Sequence, residues 1–139
     1  MYALHCTRKL LDRIKPSIGT LLPPPTAVLG NWYATALFWK PQIVLLVNEQ
    51  TLLPVLMPLA PASTVVARFP VELAAVLKML GASQAFIERE VSAMSDVAFS
   101  KTANRSVVGT INEFSFLAEA YRKDLETSNL AVSRTQLQV

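Results

Sequence analysis

The chain is 139 residues long, 52% hydrophobic and only 17% charged, with a net charge of +3. That length makes one domain with a real core, and the composition excludes disorder as a description of the whole. The positive excess lies entirely within residues 1–50, a smaller basic footprint than nucleic-acid binders carry, while so little charge favours self-association or a lasting partner.

Residues 2–6 (YALHC) alternate in character and predict a strand. Thr7 is placed to cap a helix running to Lys15, with Leu10, Leu11 and Ile14 on one face, and Pro16 ends it. Pro23, Pro24 and Pro25 predict a stiff extended connection. Next come three strand-like runs, at 31–39, 42–47 and 51–57, joined by short turns at Lys40–Pro41 and at 48–50. Connections this short imply an antiparallel meander. Pro54 has no amide proton, which puts the third strand at an edge.

Pro58 and Pro61 mark a loop, and Pro70 suits the first turn of a helix over 69–81. There Leu73, Val76, Leu77 and Leu80 predict the buried stripe, and Gly81 the stop. Ser83 is placed to cap the next helix, with Ile87, Val91 and Met94 inward. Residues 96–101 predict a last strand. The final helix covers about residues 104–126, with Val107, Ile111, Phe114, Ala118, Tyr121 and Leu125 on one stripe. The pattern ends near Thr127, so residues 127–139 read as a fraying tail on a single domain of residues 1–126. The fold class is therefore α+β, in the order β-α-β-β-β-α-α-β-α: an antiparallel sheet of about five strands with helices on one face.

Familiar catalytic patterns are missing. His5 and Cys6 are strand neighbours and point to opposite faces, so they do not form a nucleophile–base pair. Cys6 reads as an inward-packed apolar residue and His5 as exposed or locally bonded. One histidine and one cysteine, without CxxC or HExxH spacing, predict no metal site. Gly19, Gly30, Gly81 and Gly109 are isolated, so no phosphate-binding glycine loop exists, and no cofactor is expected. There is no GxSxG elbow. Trp32, Tyr33, Phe38 and Trp39 could stack bases, but at half-buried strand spacing they read as packing, so nucleic acid ranks behind protein as a partner.

Neither is a membrane span present: the oiliest run, Ile43 to Leu59, is broken by Asn48, Glu49 and Gln50 and again by Pro54 and Pro58. A start without signal-peptide order and a lone cysteine point to the reducing cytoplasm.

One stretch concentrates polar groups. KTANRSVVGTINEF, residues 101–114, gathers Lys101, Asn104, Arg105, Ser106, Asn112 and Glu113 around Gly109. Caps account for part of this, since Asn104 or Ser106 can cap the helix, and Thr110 and Glu113 have capping-box spacing. Lys101 and Arg105, however, stand at the positive end of a helix, an arrangement that an anion or a carboxylate would relieve. Asn48 and Glu49, in the VNEQT turn, either are simply solvated or form a second polar rim. A surface for a ligand and an internal network locking helix to sheet both remain open.

Taken with the opening HCTRKLL, the motifs LGNW at 29–32, LLVNEQTLLPVL at 45–56 and FSKTANRSVVGTINEF at 99–114 resemble an uncharacterised bacterial family, the domain of unknown function 6933. The resemblance covers about residues 4–121, which would make the residues beyond Tyr121 this chain's own. It implies a cytoplasmic protein of bacteria, phages or plasmids. It brings no activity and no catalytic residues. Asn48, Glu49, Lys101, Asn104, Arg105, Gly109 and Asn112 fall within the family's pattern.

The expected function is a small binding or regulatory module, engaging another protein or a second copy through Lys101, Asn104, Arg105, Ser106, Asn112 and Glu113, together with Asn48 and Glu49. One alternative is an enzyme on a phosphate-bearing or nucleic-acid substrate, with Lys101 and Arg105 on the anion and Glu49 or Glu113 as base. The other is a structural homodimer formed through the edge strand, Leu52 to Met57.

Overall fold

The computed structural model describes residues 1–19, 22–102 and 105–128, with side chains in the last helix described from 108 to 120. The elements are β1 (Tyr2–Cys6), α1 (Arg8–Ile14), β2 (Trp32–Leu37), β3 (Ile43–Asn48), β4 (Pro54–Pro58), a 3-10 turn (Ala62–Thr64), α2 (Val65–Met79), α3 (Gln84–Ala93), β5 (Val97–Lys101) and α4 (Arg105–Ser128). The α+β class stands. The 3-10 turn between β4 and α2 amends the expected order, since residues 58–64 read as plain loop.

The five strands form one sheet in the order β4-β3-β2-β1-β5. The meander β2-β3-β4 is antiparallel, with Pro54 on an edge strand. The sheet as a whole is mixed, however, because β1 runs parallel to both β2 and β5. The reason lies in the connections. Residues 7–31 separate β1 from β2 and include a helix, which is crossover length, and α2 and α3 carry the chain from β4 across to the far edge.

The helices occupy both faces, not one. Alternate residues Tyr2, Leu4, Cys6, Trp32, Ala34, Ala36, Val44, Leu46, Val55 and Met57 face α1, α2 and α3 and form the main core. The other face presents Tyr33, Leu37, Leu45 and Val47, which pack under Ile111 and Phe114 of α4. β2 and β3 are thus covered on both sides, which is why they read as continuous apolar runs.

Within the helices, α2 begins at Val65, so Pro70 lies inside it and not in its first turn. Val65, Phe69, Leu73 and Leu77 stand four apart and make the buried stripe, whose first member precedes the proline by more than a turn. Leu80 is 61% exposed, contrary to the expected pattern, because α2 has ended before it. Ser83 caps α3 by accepting from the Phe86 amide at 3.1 Å. On α3 the buried residues are Ile87 and Glu90, with Met94 buried at the C-cap.

The Glu90 carboxylate accepts the Val28 and Leu29 amides, each at 2.7 Å, pinning the connection before β2 to α3. Arg68 pins the next loop, donating at 2.8 Å to both Thr64 Oγ1 and the Pro58 carbonyl, and at 3.2 and 3.1 Å to the carbonyls of Leu59 and Pro61.

Both sheet edges are blunted. The Asn48 amide bonds to the Leu53 carbonyl and the Leu59 amide to the Gln42 carbonyl. This phase turns the backbone nitrogens of Pro54, Leu56 and Pro58 outward, leaving Leu56 as the one donor among them. At the opposite edge Ile18 bridges Phe99, and Gly19 donates to the Phe99 carbonyl at 3.2 Å.

Candidate functional site

β1 and β5 are parallel neighbours, with Cys6 opposite Lys101. Beyond Cys6 the chain enters α1, which packs on the main-core face. Beyond Lys101 it enters α4, which packs on the other face. Helices that leave adjacent parallel strands toward opposite faces open a crevice outside the strands' carboxyl ends, the general location of ligand sites in such sheets. Here the Thr102 amide bonds to the Cys6 carbonyl at 3.2 Å and closes the crevice floor.

A cleft of about 250 Å³ lies in that place, lined by Cys6, Arg8, Leu11, Lys101 and Thr102. A second of about 310 Å³ shares Arg8, Leu11 and Lys101 with it and adds Asp12, Lys15, Pro16 and Ile18. Three cations therefore face one carboxylate. Arg8 Nε stands 3.6 Å from Asp12 Oδ1, and both side chains are largely exposed, so the pair is weak and leaves the crevice basic. Cys6 contributes no nucleophile: burial pushes its thiol up to about 12, which keeps it protonated at neutral pH.

A second polar group lies on the α4 face of the sheet. The His5 ring stacks on Tyr33, with centroids 4.7 Å apart and planes 28° from parallel. Burial first, then the neighbouring Glu49 carboxylate, hold Tyr33 above the usual phenol range. Burial lowers the His5 imidazole, an effect offset in part by Glu49 and by a backbone hydrogen bond at Lys101. The register of β1 against β2 places His5 opposite Tyr33, a pairing that local periodicity does not reveal.

The residues expected to form one surface are distributed. Lys101 is exposed and lines the crevice. Glu49 lies near Tyr33 and His5 and does not line the described clefts. Asn48 is 0% exposed and organises its own turn: its Oδ1 accepts from the Gln50 amide and from the amide and hydroxyl of Thr51, while Nδ2 donates to the Leu29 carbonyl at 2.9 Å. It therefore offers no free group to a ligand. Asn112 and Glu113 are exposed on α4 and do not line the described clefts. Asn104 lies outside the described residues, as do the side chains of Arg105 and Ser106.

Arg8 and Lys15 do not stand out in the sequence as site residues. Their signal is nonetheless present there, since they belong to the N-terminal segment that holds the whole charge excess.

The family model described as "Domain of unknown function (DUF6933)" matches residues 3–138, and the chain belongs to that family. The match runs well past Tyr121, so the last residues are part of the family's chain and not an addition peculiar to this one. No curated protein and no solved structure matches the chain. Among the described residues no helix is long and apolar enough to cross a membrane.

Proposed function

We propose that this protein is a small cytoplasmic binding or regulatory module of bacteria, phages or plasmids, whose site is the basic crevice at the carboxyl ends of β1 and β5. Its ligand is an anionic group, best a phosphate carried by a partner molecule, held by Lys101 and Arg8 with Lys15 at the rim. The observation that carries this reading is the convergence of those cations at the point where the helices after β1 and β5 diverge to opposite faces. The phosphate backbone of a nucleic acid fits less well, because three cations neutralise few phosphates. The lone buried Cys6 supports a reducing compartment, and the bacterial or phage setting rests on the family resemblance.

An enzyme acting on a phosphate-bearing substrate has less support. Among the described residues Asp12 is the one carboxylate lining the crevice, and it already pairs with Arg8. Glu49 and Glu113, the two expected bases, do not line the crevice.

Amide chemical shifts recorded during titration with inorganic phosphate test the proposal. The amides of Cys6, Arg8 and Thr102 are expected to shift saturably, less so as salt is added. Lys101→Glu should raise the dissociation constant at least about tenfold. Identical titrations of variant and parent, or shifts confined to other surfaces, would contradict it.

A further inference from the structure

The basic crevice has two parts. Its inner cleft ends at Cys6 and Thr102, its outer cleft at Lys15 and Ile18, and Arg8 and Lys101 line both. The turn after α1 builds the outer wall. Lys15 takes left-handed backbone angles, φ 55° and ψ 52°, with its amide on the Leu11 carbonyl at 2.8 Å. The chain is thereby sent back to β5, where Ile18 bridges Phe99. Glycine is the residue that suits such a helix end, and a lysine carries a backbone cost there. Among the described residues no acceptor or carboxylate engages the Lys15 ammonium group, so no contact within the described chain offsets that cost. A single phosphate seated in the inner cleft, about 250 Å³, leaves the outer one, about 310 Å³, and its lysine unused.

We infer, on the reading of the crevice as an anion site, that it takes two phosphoryl groups joined as a diphosphate, one in each cleft, and that Lys15 is kept at the left-handed turn to hold the second. Arg8 and Lys101 line both clefts, which places them beside the link between the two groups, while Lys15 faces the outer group alone. A guanidinium presents several donors in one plane and can serve an oxygen of each group at once, whereas an ammonium acts as a point charge on one. Asp12 lines the outer cleft as well, but one carboxylate set against Arg8, Lys15 and Lys101 leaves two positive charges uncompensated. A monophosphate offers Lys15 nothing to hold. A diphosphate gives each cleft its own anionic group and the strained lysine a purpose.

Titrations of the full chain with inorganic phosphate and with pyrophosphate, at one ionic strength and followed by amide chemical shifts, test this. Phosphate should shift Cys6, Arg8 and Thr102. Pyrophosphate should shift these and also Asp12, Lys15 and Ile18, with a dissociation constant at least about tenfold lower. Lys15→Gly should abolish that preference and raise the melting temperature, because glycine accepts the left-handed turn without strain. Lys9→Ala removes the same charge from α1 at a position that lines neither cleft, and should leave the preference intact. ADP separates the two sources of this chemistry: binding like pyrophosphate marks a diphosphate ester, binding like phosphate marks free pyrophosphate, and either supports the inference. Phosphate that binds the inner cleft with pyrophosphate no tighter overturns this inference alone. So does a preference that survives Lys15→Gly or falls equally with Lys9→Ala, which would reflect charge and not place. Inner amides that respond to neither anion overturn the anion site and this inference together. A lower melting temperature in Lys15→Gly also overturns it, because the lysine would then serve the fold.

Discussion

Glu90 shows how a single residue governs a long connection. The stretch from residue 22 to β2 holds three consecutive prolines and no helix or strand, and its last turn is held by two charge-assisted bonds from the Val28 and Leu29 amides to one buried carboxylate. Glu90→Gln keeps the shape but turns an NH₂ group toward one of those donors. The expected loss is about 2 kcal/mol of unfolding free energy, the cost of stranding a buried amide and losing a bond to a charged group; urea denaturation reads it, and an unchanged midpoint would contradict this role. Glu90 is not legible in the sequence as a buried residue. It falls on the inner side of α3 beside Ile87 and Met94, but a charged residue is assigned to solvent unless its partner is known, and here the partner is a pair of backbone amides 61 and 62 residues away. Asn48 misleads in the same way: its polarity suggests a surface, whereas the turn that it serves uses its side-chain oxygen and nitrogen internally.

At the scale of elements, local patterns serve well where the interactions are local. The meander, the cap at Ser83 and the edge position of Pro54 are all readable, because short turns and missing donors act within a few residues. The start of α2 is not: Pro70 draws attention as a helix opener, while the four-residue spacing from Val65 to Leu77 extends the helix past it. Nor is the protective role of β4's prolines complete until the ladder's phase is known. Their consequence can be measured. Replacing Pro54 and Pro58 together by valine restores two outward amide donors and should produce concentration-dependent association beyond that of the parent, with added β signal by infrared spectroscopy. A double variant that associates no more than the parent would show that the edge is protected by something else.

For the molecule as a whole, what escapes the sequence is direction. A strand's polarity relative to its neighbour depends on where the chain returns, so β1 reads as one more antiparallel strand until its pairing with β2 and β5 is seen. That pairing moves the candidate site. The polar stretch at 101–114 is conspicuous, but only Lys101 of its described charged side chains lines the crevice, and its companions come from α1, nearly a hundred residues earlier in the chain. Two features that look unrelated, the basic N-terminal segment and the polar stretch after β5, meet because parallel strands bring their carboxyl ends to one edge of the sheet. The proposed place for an anion is thus between α1 and the end of β5. A crystal grown with selenate, whose selenium scatters anomalously, tests it most directly. The account predicts an anomalous peak within hydrogen-bonding reach of Lys101 Nζ and the Arg8 guanidinium. Selenate bound only at other surface cations, with no peak between Arg8 and Lys101, would contradict it.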